Sequence, residues 1–411
     1  MNSVLELALG IMTSLGGFVD ISELVFTVAG GAKFGFLLLW VVVVGTVGIA
    51  LYGEMSGRIA AVKREPTFTL IRNRYGFRAG LAVLVASNIV NVLTCAAEVG
   101  GLAIILQIVF DADYRPMLLA AGVLLLVTVY VLRFKWIERV FGLLGLALLV
   151  YAVAAVALKP DWSEAARGLV PRLPGPDTPG TAVYFYYAVG LFSAILMPYE
   201  IYFYSSGGIE DGWTPKDLLV NKVTAGVGFV LGGVLAMALI VVGAALYLPQ
   251  GLDPQRLSST VFGASVPLGL VGFVFALAGI FFAVGGAAVE TALAAGYNIA
   301  QFFGIRWGKR LNPREVPLFT LCWMTAIVLG MAVAASGINP VDIVEYSTIF
   351  AVVVLPFSYY PVLRVADDPK VMGKHVNRPV IRVLGWAYLA LICAAALAAI
   401  PLMAMTHMGQ G

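Results

Sequence analysis

The fold is decided at residues 196–201, which read LMPYEI in the middle of an apolar stretch from about 182 to 205. Pro198 lacks a backbone N–H and clashes with the carbonyl four residues before it, which predicts an interrupted helix. Glu200 is a carboxylate in an apolar span, where acids are costly and mark functional sites. Because broken backbone at membrane depth survives only inside protein or along a cavity, this stretch predicts a binding site on a broken membrane helix.

A second apolar stretch, near the N-terminus, has the same character. Asp20 and Glu23 stand three residues apart, which places them on one face of a helix. Gly16-Gly17 precede these acids and Gly30-Gly31 follow them. Glycines in membrane helices mark either breaks or close packing, and both alternatives hold for Gly30-Gly31. Two interrupted apolar segments in corresponding places of two halves indicate a transporter's substrate site.

The composition places the whole chain in a lipid bilayer. Of the 411 residues, 61% are hydrophobic and 12% are charged, and apolar stretches of about 20 residues, enough to span a bilayer, recur along the chain. We predict eleven membrane spans, at about 8–29, 36–56, 81–109, 116–133, 138–158, 182–205, 219–248, 266–303, 316–337, 343–363 and 382–406.

The basic residues set the orientation. With the N-terminus in the cytoplasm, most of the 26 Lys and Arg residues fall in cytoplasmic loops, as the positive-inside rule requires. The residues left outside are Lys33, Arg115, Lys159, Arg167, Arg172 and Arg256. The net charge of +3 follows from this rule and gives no reason to expect nucleic acid as a partner.

The longest non-apolar stretch divides the spans into two sets. It covers 159–181 and leaves five spans before it and five after it, with one left over. An odd number of spans per set forces opposite membrane orientations, which predicts an inverted repeat. We therefore predict an all-α membrane protein with one transmembrane domain over 1–411. Its parts are a first repeat at 1–158, an external loop at 159–181, a second repeat at 182–363, and a loop with an extra helix at 364–411.

The acids at the two interruptions predict an oxygen-rich cation site. Asp20, Glu23 and Glu200, together with carbonyls freed by the breaks near Asp20 and Ala194, suit Mg²⁺, Ca²⁺ or Mn²⁺. Met197 offers a soft thioether, which favours a transition metal if the sulfur coordinates. An equally good interpretation is that this side chain only packs against its neighbours and does not contact the ion.

Other polar residues lie inside apolar spans. Glu98 is either a proton carrier, an ion-pathway residue or a protonated structural donor, and Glu290 is similar in a weaker context. Asn88 and Asn91 predict interhelical hydrogen bonds. The 3 cysteines have no metal-knuckle or disulfide spacing. We expect no cofactor.

Taken in order, these residues resemble the natural resistance-associated macrophage protein (Nramp) family of metal-ion transporters over nearly the whole chain. The resemblance rests on the stretches 20–23, 29–35, 97–99, 159–162, 197–205, 355–357 and 371–378. Residues 20–23 stand at the position of the family's DPGN motif, and residues 197–205 stand at the position of its MPHNLYLHS motif. The resemblance implies the LeuT-type fold, with Asp20, Met197 and the Ala194 carbonyl as metal ligands.

The departures from the family pattern lie at this site. Glu23 replaces the family's ligand asparagine, while Tyr199 and Glu200 replace a histidine and an asparagine. Glutamines of the eighth and tenth helices are Gly286 and Thr348. Added carboxylates favour a harder ion, as in the Nramp-related magnesium transporters, while the retained methionine keeps Mn²⁺ as an alternative.

The same comparison predicts a depleted proton route. Tyr204 replaces a second family histidine, and Cys95 replaces an acid of the third helix. Histidine titrates near physiological pH, whereas tyrosine titrates near pH 10 in model peptides. Along this route the resemblance assigns possible proton or ion roles to Glu98, Tyr199 and Tyr204.

The sequence therefore predicts a transporter or facilitator of divalent metal cations, Mg²⁺ or Mn²⁺ favoured, with alternating access and weak proton coupling. A small organic cation on the same scaffold is the alternative, since carboxylates also bind ammonium groups and tyrosines add cation–π contacts. The lack of a soluble output domain argues against a sensor, and the lack of a nucleophile–base set argues against an enzyme. The expected partners are the metal cation and the lipid bilayer, in the inner (plasma) membrane of a prokaryote; no protein partner is indicated.

Overall fold

A computed structural model describes residues 19–176, 178–254 and 257–409. Within these ranges all regular secondary structure is helical. The helices are α1 (Ile21–Phe34), α2 (Leu39–Lys63), α3 (Thr67–Phe110), α4 (Tyr114–Val131), α5 (Phe134–Gly145), α6 (Val150–Ala157), α7 (Trp162–Arg167), α8 (Thr181–Ile195), α9 (Pro198–Glu210), α10 (Leu218–Val223), α11 (Phe229–Val242), α12 (Leu257–Phe303), α13 (Pro317–Ala334), α14 (Pro340–Ala366), α15 (Pro369–Met372) and α16 (Pro379–Met405). Short 3₁₀ or π turns join α5 to α6 and α10 to α11.

Ten helical segments of the described chain are long and apolar enough to cross a membrane. They coincide with ten of the eleven predicted spans. The remaining prediction, 8–29, falls partly outside the described residues, as do Gly16-Gly17, and its described part belongs to α1. Large apolar side chains cover the outer surface, as at Leu397, which is 80% exposed. Such a surface suits lipid and would aggregate in water.

Two spans begin earlier than the hydropathy pattern predicts. The helix α3 starts at Thr67, well before the predicted residue 81, and is interrupted at Gly76, where φ is 74°. Its first part carries arginines, and Arg72 donates to the Phe302 carbonyl at 2.7 Å. Because this part is polar on one side, a search for apolar runs does not detect it. The helix α12 likewise begins at Leu257 and is interrupted at Gly269.

Gly30 and Gly31 allow close helix packing and do not interrupt the helix. Both residues lie inside the continuous helix α1. A side chain at Gly31 would collide with the Ile240 carbonyl, and one at Gly243 would collide with the Val28 carbonyl. The two glycines therefore let the backbones of α1 and the segment after α11 touch, which is the close-packing alternative left open by the sequence.

The centre of the molecule is formed by α3, which packs along α12 and α14. The pair α8 and α9 forms one broken span, 181–210, and crosses beside α2 and α14. The loop at 159–181 contains α7, and its Gly168 carbonyl accepts a hydrogen bond from the Trp40 backbone N–H at 3.0 Å. These elements bring the starts of α1 and α9 to the middle of the membrane domain.

Candidate functional site

The start of α1 is held by its own capping residue. Asp20 has extended backbone, and its Oδ1 accepts a hydrogen bond from the Glu23 N–H at 2.8 Å. An aspartate at this position satisfies one of the free donors of the first helical turn. The Ile21 N–H, another such donor, is bonded to Glu98 Oε1 from α3 at 3.0 Å. The acid of α3 is therefore a capping group for the broken first span as well as a member of the site.

The start of α9 is set by Pro198, the first residue of that helix. Proline suits this position because its fixed φ is helical and its missing N–H would have no partner there. Leu196 and Met197 separate α9 from the end of α8 at Ile195. The Tyr359 hydroxyl donates to the Leu196 carbonyl at 3.1 Å, which fixes the break against α14. The predicted interruption at 198 is thus confirmed.

Ala194 and Met197, which the sequence analysis expects as ligands, lie at the break between α8 and α9. Ala194 is in the last turn of α8, where carbonyls have no donors from their own helix. Both residues have no exposed surface. Met197 belongs to a buried apolar cluster that also contains Ala294 and Val354. Its position is compatible with both alternatives, packing and coordination.

Five buried carboxylates lie within electrostatic range of one another around the two helix starts. This carboxylate cluster consists of Asp20, Glu23, Glu98, Glu200 and Glu290. None of them takes part in the ion pairs found in the described part of the chain. Buried charge without a counter-charge is strongly unfavourable, so the cluster requires protons or cations.

Several oxygens of the cluster have no hydrogen-bond partner from the protein. Both carboxylate oxygens of Glu23 and of Glu200 are buried and unbonded, as is Glu98 Oε2. Unpaired buried acceptors are rare in folded proteins and call for an unseen partner. A cation with its water would supply that partner for all of these oxygens.

The carboxylates of the cluster lie too far apart to bind one metal ion without other ligands. Among residues 19–176, 178–254 and 257–409, no three His, Cys, Asp or Glu side chains converge closely enough to hold one metal ion. A cation at the helix starts would take few carboxylate ligands directly. Backbone carbonyls and water would complete its shell, as is common for Mg²⁺.

The two tyrosines singled out from the sequence lie in different places. The Tyr199 hydroxyl is buried and donates to Asp20 Oδ2 at 3.5 Å, so it belongs to the site. Tyr204 does not reach the cluster. Its hydroxyl donates to the Asn221 side-chain oxygen at 3.0 Å, and its ring packs on Trp213 near the cytoplasmic end of α9.

One residue that the sequence analysis did not single out joins three helices near the site. Tyr202 of α9 shares hydrogen bonds with Ser87 of α3, at 3.0 Å, and with Ser358 of α14. This hydroxyl therefore links α3, α9 and α14, two residues after Glu200 on α9. Its spacing along α9 gives no signal, because Tyr202 lies two residues from Glu200 and residues so spaced do not share a helical face.

Two polar contacts lie on the external side of the site. Lys33 at the end of α1 pairs with Asp253 at 2.6 Å. The Tyr186 hydroxyl of α8 donates to Glu345 of α14 at 3.2 Å. Asp20 and Glu23 themselves have no exposed surface at all.

Comparisons with known proteins point to one family. Residues 10–401 match the model of the natural resistance-associated macrophage protein-like family. A curated relative, the divalent metal cation transporter MntH of Levilactobacillus brevis, is 24% identical over 391 residues, which cover 90% of this chain and 83% of the relative. Relatives of this kind are transporters and not enzymes, as the sequence predicts.

Solved structures show the same fold. The crystal structure of the Eremococcus coleocola manganese transporter, in complex with an aromatic bis-isothiourea substituted compound, superposes with a TM-score of 0.72. It is 18% identical and covers 99% of this chain and 94% of that one. The structure of MhsT in complex with L-phenylalanine gives a TM-score of 0.62 at 15% identity, covering 96% of this chain and 97% of that one. These neighbours establish the predicted LeuT-type fold, and the match over nearly its whole length shows that the chain belongs to the Nramp family.

Proposed function

We propose that this protein moves divalent metal cations across a prokaryotic inner membrane by alternating access, with Mg²⁺ or Mn²⁺ as the favoured ion. The observation that carries the proposal is the carboxylate cluster at the starts of α1 and α9, which is buried and has no basic partner in the described chain. The names of the relatives, divalent metal cation transporter and manganese transporter, support this substrate class.

The amount of negative charge favours a metal over an organic cation. A single ammonium group compensates one carboxylate and leaves most of the cluster uncompensated. A divalent ion with its water compensates two and bonds the unpaired oxygens of Glu23 and Glu200. The organic-cation alternative rests on Tyr199, whose hydroxyl is already directed at Asp20.

Alternating access would use the two closures in turn. The external closure consists of the Lys33–Asp253 and Tyr186–Glu345 contacts, and the cytoplasmic closure is the Tyr202 hydroxyl with its two serines. We propose that the parts of the chain that move relative to one another are the two repeats, 1–158 and 182–363, with the external loop 159–181 and the final segment 364–411. Broken spans in corresponding places of two repeats provide the hinge regions for such motion.

The first prediction concerns binding. Asp20→Asn keeps a capping residue of similar strength but removes the charge, so the protein should fold while its affinity for Mn²⁺ falls at least about tenfold, or about 1.4 kcal/mol. Glu23→Ala and Glu200→Ala should act in the same direction. Isothermal titration calorimetry of the purified proteins measures these affinities. Asp111→Asn, which removes the charge of an exposed side chain just after the end of α3, is the control. Wild-type affinity in both Asp20→Asn and Glu23→Ala would remove the cluster from the proposed site.

The second prediction concerns selectivity. Because carboxylates, carbonyls and water prefer hard or borderline ions, uptake of Mg²⁺ or Mn²⁺ should exceed that of Cd²⁺. If the Met197 sulfur coordinates, Met197→Ala should reduce Cd²⁺ and Mn²⁺ uptake more than Mg²⁺ uptake. Ion-panel flux into proteoliposomes measures both effects. A wild-type protein that strongly prefers Cd²⁺ over both hard ions would show that the thioether governs the site.

The third prediction is that metal uptake is at most loosely coupled to protons. The chain has 2 histidines, His375 and His407, and both lie outside the membrane-spanning segments. Glu98, the remaining acid of the presumed relay, already binds the Ile21 N–H. Proteoliposomes with a pH-sensitive dye inside should show little lumen acidification when metal is added outside. Metal-driven acidification that disappears in Glu98→Gln would instead establish proton co-transport.

A further inference from the structure

One charged side chain on the lipid-facing side of α5 has no partner in the described part of the protein. Arg139 begins the apolar span 139–157 at its cytoplasmic end. Its Nε is buried and makes no hydrogen bond. Arg139 also takes part in none of the ion pairs of the described residues. A buried donor on a charged group is costly to leave unpaired, so this group calls for an acceptor from outside the protein.

The ring of Trp136 marks the depth of this charge in the membrane. The Arg139 guanidinium carbon lies 5.4 Å from the centre of the Trp136 ring, within the range of a cation–π contact. The ring is 54% exposed. An exposed tryptophan at the end of an apolar span is typical of the boundary between lipid tails and headgroups. The Arg139 charge therefore lies close to the headgroups of the cytoplasmic leaflet.

An apolar groove begins one helical turn beyond Arg139, on the same side of the helix. Leu143 follows Arg139 by four residues, and Leu146, Val150 and Val153 continue at intervals of three or four. These four side chains line a groove of about 640 Å³ between the α5–α6 segment and α12. The other lining residues are also apolar: Leu144, Ala147, Leu149, Leu268, Val271 and Phe275.

The backbone geometry of the two neighbouring segments shapes this groove. Leu146–Leu149, between α5 and α6, form a 3₁₀ turn. The helix α12 touches this turn at Gly279, where a side chain would collide with the Leu148 backbone nitrogen. Further towards its start, α12 is interrupted at Gly269, where φ is 61°. Several side chains along the groove are exposed, so the groove opens towards the lipid tails.

We propose that Arg139 and this groove form a binding site for one anionic phospholipid of the cytoplasmic leaflet. The guanidinium group donates to the phosphate oxygens, which its planar set of donors fits well. One acyl chain lies in the groove. At about 1.5 Å per residue, the groove residues 143–153 lie roughly 6 to 21 Å from Arg139 along the helix. One half of the hydrocarbon core is about 15 Å thick, so a chain whose headgroup is at Arg139 reaches most of the groove.

The charge at this end of α5 favours an anionic headgroup over a zwitterionic one. Residues 133–139 contain Arg133, Lys135 and Arg139 but a single acid, Glu138. Basic residues at the cytoplasmic end of a membrane helix attract anionic lipids, whereas a choline headgroup would bring a further positive charge to this place. No residue of the carboxylate cluster lines the groove. The lipid site is therefore independent of the cation transport proposed above.

The test uses the full-length protein, purified in detergent and titrated with palmitoyl-oleoyl phosphatidylglycerol. Phosphatidylcholine with the same chains is the comparison lipid. Because a ligand that binds only the folded state stabilises it, phosphatidylglycerol should raise the Tm by at least about 3 °C more than phosphatidylcholine. Native mass spectrometry should show one phosphatidylglycerol retained per protein. Arg139→Gln should lose most of the difference in Tm, and Arg139→Lys should keep part of it.

The matched control is Arg74→Gln, which removes an exposed cytoplasmic arginine of α3 that does not line the groove. It should leave the difference in Tm unchanged. Val150→Trp fills the groove while keeping the Arg139 charge, and it should abolish the retained lipid. Equal stabilisation of the wild type by the two lipids, or a wild-type response in Arg139→Gln, would overturn the proposed site. Retention of phosphatidylglycerol by Val150→Trp at the wild-type level would also overturn it, since charge alone would then attract the lipid.

Discussion

Negative charge buried at the centre of a membrane protein is the constraint on which the rest of this structure depends. Asp20 and Glu23 open α1, Glu200 lies in the first turn of α9, and Glu98 and Glu290 approach from α3 and α12. Helix starts carry partial positive charge and stabilise nearby acids, but only in part. Protons or a cation must compensate the remaining negative charge. The acids that form the site therefore also determine which substrate can bind there.

The same charge is tied to the fold through backbone hydrogen bonds. Glu98 accepts a bond from the first N–H of α1, and Asp20 accepts one from Glu23. A change in how these acids share charge with a bound ion therefore alters the groups that hold α1 in place. The break at Pro198 is fixed separately by Tyr359 of α14. A bound ion would act on both broken spans, which is the coupling that alternating access needs.

Sequence reasoning recovered the parts of this arrangement that depend on local chemistry. The interruption at Pro198 follows from the proline ring, and ten spans follow from apolar length. The position of Glu200 in the first turn of α9 follows from the same rule, because proline favours the first helical position. The capping role of Asp20 was not predicted. Asp20 was expected on one helical face with Glu23, whereas its backbone is extended and α1 begins at Ile21. The grouping of Asp20, Glu23 and Glu200 was recovered because an inverted repeat brings corresponding breaks together.

What sequence reasoning did not recover depends on contacts between distant helices. The direction of Tyr204 is set by its bond to Asn221 and not by its distance from Met197 along α9. The Glu98 cap and the missing partners of Asn91 depend on how α3 lies against α1 and α12. The polar start of α3 was missed because it forms a helix outside the apolar region, where hydropathy carries no signal.

The central claim is that the helix starts bind a divalent cation, and anomalous X-ray diffraction from crystals soaked in Mn²⁺ tests it most directly. One strong manganese peak is expected beside the Asp20 carboxylate, between the starts of α1 and α9, with water in part of the metal's shell. Strong manganese peaks found only elsewhere in the protein, with none beside Asp20, would contradict it.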